Sequence, residues 1–194
     1  DLLVIVETSN MVTAIDTASG DIRWTREVGG PLARLTEPVM YEGNVVICSQ
    51  ADAHVLHGEH GRLIDRFALA HQASTDPLLF KGALIVGTTS GRVFAQRVHD
   101  GIVAWQYMMT SDIAAGMAIE QGVLAVADST GNVATFNATS GNVIWRNYQP
   151  PWDTVTNDLV AAGGFVLAAS SDQKLYAFDR RGGMLSWQYL TQHP

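Results

Sequence analysis

The sequence predicts an all-β protein built as a run of four-stranded antiparallel blades, and three observations predict it. A glycine-anchored segment recurs five times at a spacing close to 40 residues. Each copy carries short apolar runs separated by turn residues, the pattern of strands four to eight residues long. No window of a dozen residues shows helical spacing with caps. Four short antiparallel strands every 40 or so residues are the sequence form of a β-propeller blade.

The anchoring residues are Gly20, Gly61, Gly101, Gly141 and Gly183, so the steps are 41, 40, 40 and 42 residues. Around them the copies read AIDTASGDIRW (14–24), VLHGEHGRLID (55–65), AQRVHDGIVAW (95–105), TFNATSGNVIW (135–145) and AFDRRGGMLSW (177–187). The glycine falls in the turn between a blade's third and fourth strands, where a positive φ is needed. Four copies place a tryptophan four residues later: Trp24, Trp105, Trp145 and Trp187. On an outermost strand an indole is large enough to cover the gap to the neighbouring blade, and its N–H needs an acceptor. These four are read as inter-blade girdle residues and not as ligand platforms. The second copy has Asp65 at that place, so its junction should be weaker or satisfied differently.

The remaining strands follow in order. The apolar run 2–6 reads as a second strand, so the first blade lacks its first. Blades two and three open on Pro-initiated segments, PVMYEGN (38–44) and PLLFKGA (77–83), where blades four and five have AIEQG (118–122) and VAAGG (160–164). Second strands lie in VVICSQADA (45–53), LIVGTTSGR (84–92), LAVADSTGN (124–132) and VLAASSDQK (166–174), each ended by turn residues. In the third copy the four strands are expected at 78–80, 84–88, 93–97 and 102–107. The blades divide at 1–30, 31–70, 71–110, 111–150 and 151–194, about 4.75 blades in all.

Composition excludes several classes. Hydrophobic residues make up 47% of the 194, ordinary for a globular chain and too high for a disordered one. A formal charge of −7 argues against broad electrostatic attraction to nucleic acid or to an anionic membrane. The longest apolar runs, such as 2–6 and 165–169, suit buried strands and are too short to form a membrane-crossing helix. The single cysteine, Cys48, allows no internal disulfide and reads as a small buried hydrophobe. The chain opens inside an apolar run with no charged-then-apolar leader, as a mature or truncated end would.

The pattern A-x-D-x-x-[TS]-G-x-x-x-W resembles the tryptophan-docking repeat of the pyrroloquinoline-quinone (PQQ) enzyme superfamily. Ala14, Asp16, Gly20 and Trp24 match it best, and Ala177, Asp179, Gly183 and Trp187 nearly as well. Arg97 and Asn137 replace the aspartate in copies three and four. Within the superfamily the repeats are most similar to the BamB family, propeller lipoproteins of the bacterial outer-membrane β-barrel assembly machinery. The stretch RLTEPVMYEGNVVI (34–47) and the compact repeats carry that similarity.

The resemblance implies an eight-bladed ring, a periplasmic or cell-envelope location, no cofactor, and blade-end loops that bind protein partners. It implies a non-enzymatic interaction scaffold of the envelope. Eight blades need about 320 residues, so remaining blades or a second copy would have to close the ring. The same blade also serves enzymes and sensors. A fragment of a PQQ-dependent dehydrogenase and a ligand-sensing propeller ectodomain are therefore the alternatives.

No catalytic or cofactor-binding residue is assigned. A catalytic quinoprotein needs an axial cofactor, Ca²⁺ with oxygen ligands and a carboxylate base, and the superfamily's enzymes commonly add a vicinal cysteine pair. Asp16 and Asp179 belong to the repeat and read as turn caps. His54, His57 and His60, with Glu59 alongside, are the local cluster whose imidazoles and carboxylate suit zinc or copper. A spacing of three on a strand points His54 and His57 to opposite faces. That leaves His57 and His60, flanking the turn at Gly58, as the metal candidates, with exposed turn histidines as the alternative. For partner binding the candidates are Pro150, Pro151, Trp152 and Asp153, where two prolines interrupt the repeat and Trp152 lies outside the repeated tryptophan position. The alternative there is a hydrophobic plug under the blade. The linkers 29–37 and 108–114 come next.

Overall fold

In a computed structural model the structure describes residues 1–30, 33–113, 116–147, 154–155 and 158–191. Strands β1 (Leu2–Val6), β2 (Met11–Asp16) and β3 (Ile22–Glu27) form a three-stranded sheet. Four four-stranded sheets follow. They are β4 (Val39–Tyr41) to β7 (Leu63–Ala68) through β5 (Asn44–Cys48) and β6 (Asp52–Leu56), then β8 (Leu78–Phe80), β9 (Ala83–Gly87), β10 (Arg92–Arg97) and β11 (Val103–Met108). The fourth sheet is β12 (Ala118–Glu120), β13 (Val123–Ala127), β14 (Val133–Asn137) and β15 (Val143–Asn147). The last is β16 (Val160–Ala162), β17 (Phe165–Ser170), β18 (Lys174–Asp179) and β19 (Leu185–Leu190). Every sheet is an antiparallel meander whose spatial order is its chain order. The fold is the predicted run of propeller blades, four with all strands and one with three. The short first strands approach one another, β4 against β8 and β12 against β16, which makes them the inner edge of the arc.

In the third copy, strand limits differ from expectation by one residue. Thr88 is not in β9, because its N–H and hydroxyl close a turn onto the Arg92 carbonyl at 2.9 and 3.0 Å. Ile102 precedes β11, because its carbonyl accepts from Arg97 N–H at 2.9 Å in the preceding turn.

Two turn types recur. The first-to-second hairpin is a two-residue loop with both residues at positive φ, as at Glu42–Gly43 (48° and 77°) and Lys81–Gly82 (47° and 76°). That is the type I′ geometry that suits the twist of paired strands. The third-to-fourth turn closes through the anchoring glycine, whose N–H donates to the carbonyl four residues back: Gly20 to Asp16 at 2.8 Å, Gly141 to Asn137 at 2.8 Å, Gly183 to Asp179 at 2.9 Å. A β-bulge precedes it at the same repeat position in all five copies, for instance between Ala14 and Ile15 and between Thr135 and Phe136. The added residue increases local twist and aims the tryptophan at the next blade.

The apolar core lies between blades. Val45 and Ile47 of β5 pack with Val12, Ala14 and Trp24 of the first sheet, while Val46 and Cys48 pack with Leu84, Val86 and Phe94 of the third. Ile85 and Val93 then meet Leu124, Val126 and Phe136, and Ala125 and Val133 meet Val166, Tyr176 and Phe178. Because middle strands are buried on both faces, their sequences read as unbroken apolar runs with no alternation. Burial pushes the Cys48 thiol up to about 12, so it stays protonated as a core residue.

Candidate functional site

Three of the four blade junctions among the described residues are each held by one indole. Trp24 Nε1–H donates to the Gly58 carbonyl at 2.7 Å, Trp105 to Ala138 at 3.1 Å and Trp145 to Arg180 at 2.7 Å. The acceptor is always the carbonyl three residues before the next blade's anchoring glycine. The ring lies over that glycine so closely that a Cβ at Gly61, Gly141 or Gly183 would be 2.6 Å from it. Gly20 has no atom within 4 Å of its Cβ position, and Trp187 is 42% exposed. The arc therefore ends with one uncovered turn and one undocked indole among the described residues.

At the second junction Asp65 leaves no indole, and two residues replace it. Phe67 packs over Gly101, 3.5 Å from where a Cβ would stand. Buried Gln96 donates to the carbonyls of Ala68 (2.9 Å) and Gly101 (2.8 Å) and accepts from Ala70 N–H (3.0 Å). Sequence reasoning missed Gln96, although a signal existed. It is the polar residue at a repeat position that holds Ile15, Leu56, Phe136 and Phe178 in the other copies. At the fourth junction Arg180 pairs with Glu120 and bonds Gln121 Oε1 at 2.9 Å, while Glu120 also accepts from Gly163 N–H.

The repeat carboxylates are engaged in turns. Asp16 Oδ1 accepts from the N–H of Ala18 (2.8 Å) and Ser19 (3.2 Å), and Oδ2 pairs with Arg23. The Arg23 bond, reinforced by those backbone donors, holds the Asp16 carboxyl at about 2. Asn137 makes the same two backbone bonds, both 3.0 Å, and Asp179 accepts from Arg181 and Gly182. His57 occupies this position in copy two, and its Nδ1 accepts Glu59 N–H at 3.2 Å. The His57 and His60 rings stack with centroids 4.6 Å apart, and Glu59 brings a carboxylate to the same spot, one ligand atom from each lying within 4.8 Å of the others. The cluster has suitable ligand chemistry for a metal. Its Nδ1 bond and the docking of Gly58 under Trp24 already tie the turn into the junction.

The meander puts third-to-fourth turns on one face and the blade-to-blade linkers on the other. On the linker face, side chains pin loops across blades. Asp76 accepts Glu37 N–H at 2.7 Å, Asp158 accepts Gly116 N–H at 2.8 Å, and Ser74 Oγ donates to the Ile113 carbonyl at 3.0 Å. Within the fourth blade, Asp128 accepts from Asn132 and Ser111, and Ser129 donates to Asp112, whose carboxyl those hydroxyl bonds hold below the usual range. This face thus carries fixed, largely acidic loops. It includes the described parts of 29–37 and 108–114. Pro150, Pro151, Trp152 and Asp153 connect β15 to β16 in sequence and lie outside the described residues. No helix among the described residues is long and apolar enough to cross a membrane.

Comparison with known proteins places this geometry. The family model described as outer membrane protein assembly factor BamB matches residues 8–148 and 108–194. The chain is similar to the outer membrane protein assembly factor BamB of Yersinia pestis, 24% identical over 194 residues, covering 91% of this chain and 48% of that protein. The Escherichia coli K12 factor of the same name is 24% identical over 193 residues with the same coverages. A tetrathionate hydrolase of Acidithiobacillus ferrooxidans is 22% identical over 96 residues, half of this chain and 19% of that one. In structure, BamB from Moraxella catarrhalis matches at a TM-score of 0.77 and 21% identity over 98% of this chain and 59% of that chain. Sqt1 of Saccharomyces cerevisiae matches at 0.76 and 14% identity over 95% and 56%. The chain spans about half the length of the curated relatives it matches.

Proposed function

The chain belongs to the family of the outer membrane protein assembly factor BamB, and on that premise we propose that it is a non-enzymatic interaction scaffold of the bacterial cell envelope. It docks protein partners through blade-end loops, with Trp152 and its neighbours Pro150, Pro151 and Asp153 as the anchor. The observation that carries the reading is the linker face. There the loops are cross-pinned between blades, as in the Asp76–Glu37 and Asp158–Gly116 bonds, so a partner meets loops whose ordering entropy has largely been lost on folding. The repeat's carboxylates are used to hold turns, which supports a scaffold over a catalytic ring. Further blades, in the eight-bladed arrangement, would dock on Trp187 and Gly20 and close the propeller.

The test uses the barrel-forming subunit of the outer-membrane assembly machinery from the same organism, in detergent, and measures its affinity for this chain. Trp152→Ala should weaken binding about tenfold or more and leave the melting temperature unchanged. Trp145→Ala should instead lower stability by about 3 kcal/mol, since it removes a docked indole. Stoichiometric uptake of PQQ with Ca²⁺, with dehydrogenase activity, would overturn the scaffold reading. So would an affinity indifferent to Trp152.

A further inference from the structure

The first junction differs from the others in one respect. Between β3 and the second sheet lies a cavity of about 410 Å³, lined by Arg26, Asp52, His54, Leu56, Leu63 and Arg66 among others, within the size range of small-ligand pockets. It lies where two repeat positions are both polar; the second junction has Phe67 and Phe94 there, the third Tyr107 with Ala134 and the fourth Asn147 with Tyr176. Seven residues before the anchoring glycine, copies three and five have Phe94 and Tyr176, and copy two has His54. Six residues after it, copies two and three have Phe67 and Tyr107, and copy one has Arg26. At the third junction Tyr107 fills the space against Phe136, with ring centroids 4.9 Å apart.

The polar groups left behind are arranged as a receptor. His54 forms the floor and is 6% exposed, and its imidazole makes no hydrogen bond among the described residues. At the rim, Asp52 neutralises Arg66 at 2.8 Å. Arg26 gives one N–H to the Gly61 carbonyl at 3.2 Å and has no ion pair among the described residues. Glu27 also lines the opening, so the charges facing His54 are Arg26 and Glu27 from β3 and Asp52 and Arg66 from the second sheet. Leu56 and Leu63 add an apolar wall beside His54.

We infer that this cavity binds a small organic carboxylate, its oxygens taking N–H donors from Arg26 and His54 and its apolar body lying on Leu56 and Leu63. The inference is independent of the scaffold reading, because it concerns the first junction and not the segment around Trp152. A free acid and the carboxyl end of a peptide share the chemistry.

The test is an NMR titration of the whole chain that follows the His54 ring protons, with hexanoate standing for a free acid and N-acetyl-leucine for a chain end. N-acetyl-leucine amide is the uncharged control. A carboxylate should shift His54 saturably with a dissociation constant on the order of 1 mM, and the tighter of the two acids identifies the source. Binding should also raise the pH at which His54 titrates. Burial, with Arg66 nearby, lowers that pH in the empty cavity, and an adjacent anion favours the imidazolium. His54→Phe, the residue of copy three, should fill the cavity and abolish the response of the remaining resonances at the site without lowering the melting temperature. Arg26→Gln should weaken binding about tenfold. An absent response at about 50 mM acid, or an equal response to the amide, overturns the proposal. So does undiminished binding in His54→Phe.

Discussion

A Cβ added at Gly141 would stand 2.6 Å from the Trp105 ring, at a residue whose φ is +71°. Gly20 has a similar φ of +77° and open space. The pair separates two effects that a glycine normally confounds. Gly20→Ala should cost about 1 kcal/mol, the left-handed penalty alone. Gly141→Ala should cost about 1–3 kcal/mol more, because the indole must be displaced. Urea unfolding of both variants measures the difference.

A second residue-scale expectation concerns acid. Asp16 and Asp100 both titrate near 2 in the folded chain, held down first by Arg23 and Arg97 respectively. Their native values lie below the unfolded ones, so their contribution is complete above about pH 4 and is lost as pH falls through 2. The melting-temperature gap between the wild type and Asp16→Asn should therefore be constant above pH 4 and close between pH 4 and 2, read by thermal scans across that range. Asparagine keeps the turn bonds, as Asn137 does; only the charge pairing is removed. The glycine, tryptophan and aspartate positions were legible because they repeat. Gln96 was passed over because it departs from the repeat in a single copy, and such a departure has meaning only once the neighbouring blade is in place. At the His54 and Arg26 positions the copies share no residue type, so no departure could be read.

Among the elements, the strands of the third copy were readable to within a residue, since turn chemistry ends each one. What sequence did not give was how the second junction is satisfied. Asp65 marked an absence, and the replacement came from the next blade. Removing the Gln96 side chain exposes two carbonyls and one N–H in a buried seam. Gln96→Leu, which fits the apolar pattern of the repeat, should still cost about 2–4 kcal/mol. Phe67→Ala in the same background should show a non-additive effect, since both act at one junction. A double-mutant cycle by chemical denaturation measures it.

For the whole molecule, the ends of the arc dominate. On β19, Trp187, Tyr189 and Leu190 are 42%, 61% and 64% exposed, and at the other end Leu3 and Ile5 of β1 are 50% and 42%. Exposed apolar strand faces of this kind drive association. The 194-residue chain should show a mass that rises with concentration in light scattering, and Trp187→Lys with Leu190→Lys should return it to a monomer. The number of blades was legible from the glycine spacing. The partner was not, because linkers carry no repeat against which to read them, and the stretch around Trp152 shows its chemistry only in residue type.

The direction of the indole latch has one more consequence. Among the described residues every clasp runs from a blade to its successor and none reaches two blades away, so the arc behaves as a row of units coupled only to nearest neighbours. Such a row parts at its loosest coupling and not everywhere at once. With amide and aromatic contacts in place of an indole, the seam between the second and third blades is where native-state hydrogen exchange should find the chain opening into two halves, each still folded.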